Sequence, residues 1–387
     1  MVRVTVVCPP GDGKSGIGEY FEQVSPHVPD DLTYVTLPHG ELNPYTNNPL
    51  SYLRTALAAA MSDADVIHVQ HEYGLFGSFS LMTWLFFPVI YLLSRLRGIP
   101  VIITVHEGLN RSHVSGRLRR LKQVYLFCLN ACLAITASQL VFLSDDGAAK
   151  FRESVPVRNY SVFPHGVTTT GKRDVSERVA RAELGYDEDD VLVAAVGYVA
   201  RWKGSDLLVD LARRRPDIEF LLAGGPPNDS QREFFERIKE NAPANLQVTG
   251  RLPSETFQAA FVASNLVVLP YRRIEHGGII NSVNQSGVLN WCAAYARPVV
   301  AADLPYFTKL KSEWGCVETA AENDVEAFED RTTELLSDPD RREQLQRGMR
   351  KYAEAHSFEQ VGRLHHDLYV DSLSASSDTA ISGFIRT

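Results

Sequence analysis

Two consecutive α/β domains, each a doubly wound sheet of parallel strands, are what the sequence predicts. Three observations carry this. Short apolar runs alternate with stretches of helical spacing, which signals parallel strands joined by crossover helices. The alternation breaks at a polar segment from His165 to Asp190. It then resumes and ends in a run of helices.

In the first series "VRVTVV" (2–7), "LTYVTL" (32–37), "DVIHVQ" (65–70), "PVIITVH" (100–106), "QLVFLS" (139–144) and "NYSVFP" (159–164) read as strands. The second has "VLVAAVG" (191–197), "IEFLLAGG" (218–225), "LQVTG" (246–250), "LVVLPY" (266–271) and "RPVVAAD" (297–303). Helices are expected over 324–337, 340–355 and 358–373. The expected division is a first domain over 1–168, a linker with one short helix over 169–190, a second domain over 191–357 and a loosely ordered tail over 374–387. A length of 387 residues suits two or three domains.

Composition narrows the function. Hydrophobic residues make up 44% and charged residues 22%, which is ordinary for a soluble globular chain. The net charge of -8 argues against nucleic acid as a partner. Five cysteines, an odd number, suit a reduced compartment better than a disulfide framework. The N-terminus begins directly in a strand, so neither a signal peptide nor a spanning helix is expected. The longest apolar stretch, "FSLMTWLFFPVIYLLSRLRG", is interrupted by Pro88 and closed by Arg95 and Arg97. A cytoplasmic protein is expected, with the inner membrane face as a second location.

Ligands of doubly wound sheets gather at the C-terminal ends of the strands. The first such loop, "CPPGDGKSGIGEYFEQV", lets the backbone at Gly16 approach a phosphate or acceptor group at a helix N-terminus. A plain strand-to-helix turn is the alternative. The loop carries neither a Walker A nor a G-x-G-x-x-G spacing. No acid ends the second strand either, which sets a nicotinamide oxidoreductase aside. "HVQHEYGLFG" and "TVHEG" bring His71, Glu72, His106 and Glu107 to strand ends. Their spacing fits no metal motif. His71 reads equally as a hydrogen-bonded structural residue, and His106 is the better functional candidate.

In the second domain, "VGYVARWKGSDLL" aims Arg201 and Lys203 at the strand ends, where two cations suit a diphosphate. A solvated basic loop is the alternative. The amides of Ser286, Gly287 and Val288, at the start of the helix in "NQSGVLNW", can hold a phosphate oxygen. Gly224, in the open turn of "LLAGGPP", is expected at the nucleotide together with Arg251 and Trp291. Three D-x-D look-alikes, "DAD" (63–65), "DED" (187–189) and "DPD" (338–340), sit in the wrong places for a metal-bound diphosphate and read as solvated or capping residues. "SGRLRRLKQVYLFCLNACL" (115–133) sets Arg117, Arg119, Arg120 and Lys122 beside an apolar helix. It is read either as a face for anionic lipid or as a crossover helix with a solvated basic start.

Taken in order, "SGIGEY", "QHEYGLFG", "TVHEG", "PHGV", "GYVARWKG", "LLAGG", "LPY" with "SGVL", and "RPVVAAD" resemble glycosyltransferase family 4. These are retaining enzymes of the GT-B fold. The resemblance covers nearly the whole chain. It implies two Rossmann-like domains facing across a cleft. The last helix, "HSFEQVGRLHHDLY", would cross back to the first domain. It further implies metal-independent transfer of a sugar from a nucleoside-diphosphate donor to a glycan or lipid-linked acceptor, with no cofactor. His106 would hold a donor-sugar hydroxyl, and His71 and Glu72 would lie on the acceptor side.

One departure bears on activity. The family carries two glutamates eight apart before the final Pro-Val-Val. Counted back from Pro298, they fall at Val283 and Trp291. The second normally holds the ribose, which an indole cannot do; Tyr271 or Asn290 are the substitutes at hand. Glu275, five residues after Pro270, is the remaining candidate to reach the sugar. A catalytically impaired GT-B protein that binds a glycan or a partner subunit is the competing expectation.

Overall fold

The computed structural model describes residues 1–11, 15–38, 47–170, 172–276, 279–281, 283 and 285–384; the side chains of 274–276, 279–281 and 375–384 lie outside that description. The chain divides into two compact units. The first comprises Met1–His165, the described residues of Gly277–Ile280 and the C-terminal segment from Phe358, and the second Gly166–His276 and Asn281–Ser357.

The first unit holds one parallel sheet. Its strands are β1 (Arg3–Cys8), β2 (Asp31–Thr36), β3 (Val66–His71), β4 (Val101–Val105), β5 (Gln139–Phe142) and β6 (Tyr160–Val162), in the order β2-β1-β3-β4-β5-β6. Strands β3 and β4 are buried along their whole length. That is why they read as continuous apolar runs rather than alternating ones. Helix α1 (Gly16–Val24) packs with the last helix over a core that includes Tyr20, Phe21, Val66 and Tyr369. A second core, with Tyr52, Phe76, Phe86 and Ile103, is covered by α2 (Pro49–Met61), α3 (Thr83–Arg97) and α4 (Arg119–Thr136), followed by α5 (Asp145–Ser154). Pro88 falls within α3 and does not end it.

The second unit opens with α6 (Glu177–Leu184). This helix packs on the later helix over Ser254–Ala263, so the helical part of the expected linker belongs to the second unit. The order along the chain is β7 (Leu192–Val196), α7 (Ser205–Arg214), β8 (Glu219–Ala223), α8 (Arg232–Glu240), β9 (Leu246–Val248), α9 (Ser254–Ala263) and β10 (Leu266–Leu269). Two short strands, β11 (Ile274–His276) and β12 (Ile279–Asn281), precede α10 (Gly287–Ala294). Then come β13 (Val299–Ala302), α11 (Pro305–Trp314), β14 (Glu318–Ala320), α12 (Val325–Ser337) and α13 (Pro339–Ala355), after which α14 (Phe358–Phe384) belongs to the first unit. The sheet runs β14-β13-β10-β7-β8-β9 and is parallel throughout its registers.

Three differences from the sequence reading stand out. Edge strand β14 is only three residues long, too short to show a pattern; its Glu318 is held by Lys311 and Arg341. Helix α11 follows Pro305 at its first turn. Helix α14 continues through Phe384, past the point where small polar residues suggest a loose tail.

Candidate active site

The two sheets reverse their winding direction at one point each. In the second unit this is between β7 and β10, because the chain steps from β7 to β8 and β9 on one side and from β10 to β13 and β14 on the other. Such switch points are where open α/β sheets bind ligands. The loops that leave β7 and β10 meet there. Gly204 adopts φ +65°. A Cβ on it would lie 1.9 Å from the Pro270 carbonyl oxygen, so only glycine allows the approach. The Arg272 amide donates to the Trp202 carbonyl at 3.0 Å and ties the loops together.

The expected diphosphate residues gather around this junction. Lys203 places Nζ 3.7 Å from the centroid of the Tyr271 ring. The Tyr271 hydroxyl is 3.1 Å from Ser286 Oγ. Ser286 caps α10, accepting from the Leu289 amide at 3.2 Å. The lysine, the phenol and the helix start are thus one connected unit. Gly287 has open space on its Cα, and Gly197 comes close enough that an added Cβ would touch Val288 Cγ2 at 2.8 Å. Gly224 lies against the Gly197 carbonyl, and Gly225 against the Arg251 amide. Arg201 is exposed, its guanidinium 5.1 Å from the Phe234 ring and its amide donating to Gln231 Oε1 at 3.1 Å. Arg201, Lys203, Gly224, Arg251, Ser286, Gly287 and Val288 therefore line the strand ends of one sheet.

Burial pulls the Lys203 ammonium down to about 7. The Tyr271 ring face works in the opposite sense by favouring the cation. A bound diphosphate needs the protonated form. Nucleoside-diphosphate affinity is therefore expected to fall, by up to about tenfold per pH unit, as pH rises above 7. Calorimetric titration between pH 6 and 9 in buffers of differing ionisation enthalpy measures both the fall and the accompanying proton uptake. A flat profile without proton uptake contradicts it.

Helix α10 corrects one expectation. Trp291 is half-buried and packed against the hydrophobic core of the second unit. Its indole joins an aromatic layer with Phe257, Phe261 and Tyr295, at centroid separations of 6.0, 6.3 and 6.3 Å. It is a packing residue of the α9–α10 contact. Asn290, one position earlier, is buried; its amide nitrogen donates to the Gly166 carbonyl at 2.9 Å and its oxygen accepts from the Tyr352 hydroxyl at 3.2 Å. Glu275 sits in β11, and its side chain lies outside the described residues.

The first unit carries a second cluster at its strand ends. Tyr20 of α1 meets His106 edge-on at 5.3 Å and His165 at 4.8 Å. Gly16, at the start of the same helix, has open space around it. His106 is buried and linked inward. Its Nε2 donates to Gln70 Oε1 at 2.8 Å, Gln70 Nε2 donates to His68 Nε2 at 3.1 Å, and His68 Nδ1 donates to the Tyr369 hydroxyl at 2.8 Å. The direction of this chain makes Nδ1 of His106 the free acceptor. Burial, then His165 and His71, hold His106 down to about 3, so the ring is neutral and can accept a hydroxyl proton.

Gln70 and His68 carry no motif of their own, and sequence reasoning passed over them. Gln70→Leu is expected to release the ring of His106 into a mixture of tautomers, visible in its imidazole nitrogen shifts, and to lower kcat by roughly tenfold or more. Unchanged shifts would show that Gln70 does not set the tautomer.

His71 is a further correction. It is buried, stacked on Phe76 at 5.1 Å and edge-on to Tyr73 at 5.0 Å, which makes it a core residue rather than an acceptor contact. Glu72 accepts from the Gly74 amide at 3.1 Å. Burial raises its carboxyl, and burial with Glu72 raises that of Glu107 to about 7. The D-x-D aspartates are structural where their partners are described. Asp63 and Asp65 pair with Arg3, and Asp338 caps α13.

Comparison with known families follows this division. Residues 2–170 match Glycosyltransferase Family 4, and residues 176–353 match Glycosyl transferases group 1. The chain belongs to glycosyltransferase family 4. Its fold is GT-B. This family 4 glycosyltransferase is 27% identical over 360 residues to the alpha-maltose-1-phosphate synthase of Mycolicibacterium smegmatis, a match covering 86% of this chain and 87% of that one. It is 25% identical over 271 residues to the alpha-D-kanosaminyltransferase of Streptomyces kanamyceticus, covering 67% of each chain. Among solved structures, Anabaena HepE in complex with UDP superposes with a TM-score of 0.75 at 14% identity, covering 96% of this chain and 100% of that one.

Proposed function

We propose that this glycosyltransferase moves a sugar from a nucleoside-diphosphate donor to a glycan or lipid-linked acceptor with retention, and that it needs no metal ion. The observation that supports this best is the junction at the β7–β10 switch point. There Lys203, Tyr271 and the capped start of α10 form a connected cradle next to Arg201. A departing nucleoside diphosphate develops negative charge, which fixed cations and helix amides stabilise. In this reading His106 accepts a hydrogen bond from a donor-sugar hydroxyl, Gly16 and Glu72 serve the phosphate and acceptor side, and Glu275 meets other sugar hydroxyls. Because HepE is a structural neighbour solved with UDP, uridine nucleotides are the first to try.

A second reading, a GT-B protein impaired in transfer, is favoured by one observation. Asn290 carries a neutral amide rather than a carboxylate, and both ends of that amide are already engaged, by the Gly166 carbonyl and the Tyr352 hydroxyl, so it does not replace the ribose-binding glutamate. A thermal-shift screen of nucleoside diphosphates and their sugars in EDTA separates the readings when followed by an assay of nucleotide release with candidate acceptors. Stabilisation with acceptor-dependent release supports transfer. Stabilisation without release under any acceptor supports the second reading, and no stabilisation by any nucleotide contradicts both.

A further inference from the structure

Three of the helices on one side of the first sheet, α2, α3 and α4, are apolar on their outer faces as well as their inner ones, whereas α5, which follows them, begins with Asp145 and Asp146. Helix α3 packs between α2 and α4, and all three run as crossovers between parallel strands. The outward stripe of α3 is Trp84, Tyr91, Leu92 and Leu96, the last 75% exposed. That of α4 is Leu121, Val124, Phe127 and Ile135, with Leu121 64% exposed. Helix α2 adds Leu57 and Met61. Phe79, in the loop leading to α3, is 83% exposed and held at φ 56°. Most of the exposed large apolar side chains among the described residues belong to this one layer. Soluble monomers seldom gather so many on one face.

Charge on the layer is as uneven. None of α2, α3 and α4 contains an aspartate or glutamate, in a chain whose net charge is -8. Their charged residues are Arg54, Arg95, Arg97, Arg119, Arg120 and Lys122, and Arg117 precedes α4. The basic groups concentrate at the start of α4 and the end of α3, bordering the apolar stripes. Aromatic groups with a polar end, Trp84 and Tyr125, join the two helices through a hydrogen bond of 3.1 Å.

We propose that this three-helix face docks on the surface of an anionic lipid bilayer. A bilayer interface takes apolar side chains to the depth of the acyl boundary, phosphate groups meet the arginines, and tryptophan and tyrosine favour the headgroup level. Two copies of the chain facing each other would set like charges together, which disfavours self-association through this layer. No helix of the described residues is long and apolar enough to cross a membrane, and the proposed contact is with the bilayer surface. The inference goes beyond transfer chemistry. It enlarges the single basic helix legible in 115–133 to a flat surface of three.

Vesicle co-sedimentation of the full chain tests it without any donor or acceptor, so its failure is separate from failure of the transferase reading. Binding is expected to vesicles containing about 30% phosphatidylglycerol and to be weak on pure phosphatidylcholine. Raising salt should weaken it. The charge-reversed variant Arg117→Glu/Arg119→Glu/Arg120→Glu and the apolar variant Leu92→Ser/Leu96→Ser/Leu121→Ser should each lose roughly tenfold or more in partitioning. Both should keep the parent's melting temperature and nucleotide-induced shift, because the altered side chains are exposed. Brominated lipid should quench Trp84, and Trp84→Phe should remove that quenching. The proposal is overturned by absence of binding at either composition, by variants that bind like the parent, or by quenching that survives Trp84→Phe. It is equally overturned by a dimer in sedimentation that the same variants dissolve while vesicles are ignored.

Discussion

Replacing Arg201 and Lys203 together by alanine is expected to lower kcat/KM for sugar transfer by roughly 10²–10⁴-fold and to abolish stabilisation by nucleoside diphosphate. Each charge-assisted hydrogen bond is worth about 1.5–3 kcal/mol, and two such losses give about 3–6 kcal/mol. The fold should be unaffected. Arg201 is exposed and Lys203 is only half-buried. Although the residue as a whole is half-buried, its ammonium is desolvated against the Tyr271 ring and holds its proton less tightly than an ordinary lysine, so its removal should cost the fold little. A lost nucleotide response with an unchanged apo melting temperature is therefore the signature. A variant that retains nucleotide binding would move the diphosphate elsewhere.

Gly204→Ala is the second large effect. Alanine at φ +65° carries left-handed strain of about 1–2 kcal/mol. The added Cβ would also stand 1.9 Å from the Pro270 carbonyl oxygen, a backbone atom that cannot rotate aside. The two loops of the switch point must part, and Lys203 separates from Tyr271 and Ser286. A destabilisation of about 2–4 kcal/mol and loss of donor binding are expected. Gly185→Ala is the control. It has φ +86° at the end of α6 but nothing within 4 Å of its Cβ. It should cost only about 1–2 kcal/mol and leave donor binding intact. Equal effects from the two substitutions, read by thermal melts and nucleotide titration, would show that the loop contact plays no special part.

Much of this was legible in the sequence because it is local. Strands such as β4 announce themselves as unbroken apolar runs, and the glycine-bearing loops that follow them place Lys203 and Ser286. What was not legible depends on phase or on distance. Counting back from Pro298 selects Trp291. One residue on a helix is a turn of about 100°, and that step separates an indole in the α9–α10 layer from Asn290 beside Gly166. His71 ends a strand exactly as a site residue would; only the arrival of Phe76 and Phe87 around it shows that it is core. The support of His106 joins Gln70, His68 and Tyr369, and the last two are 301 positions apart. No local pattern encodes such a chain. The apolar outer layer shows the same limit, since α4 alone looks like an ordinary crossover helix until α2 and α3 are placed beside it.

Backbone hydrogen exchange with and without UDP tests the central claim most directly, because it reads the amides themselves. The account predicts slowed exchange in the segment around Arg201–Gly204 and at Gly287–Asn290, with both effects lost in Arg201→Ala/Lys203→Ala. UDP bound by calorimetry while exchange at both segments stays at the unliganded rate would contradict it.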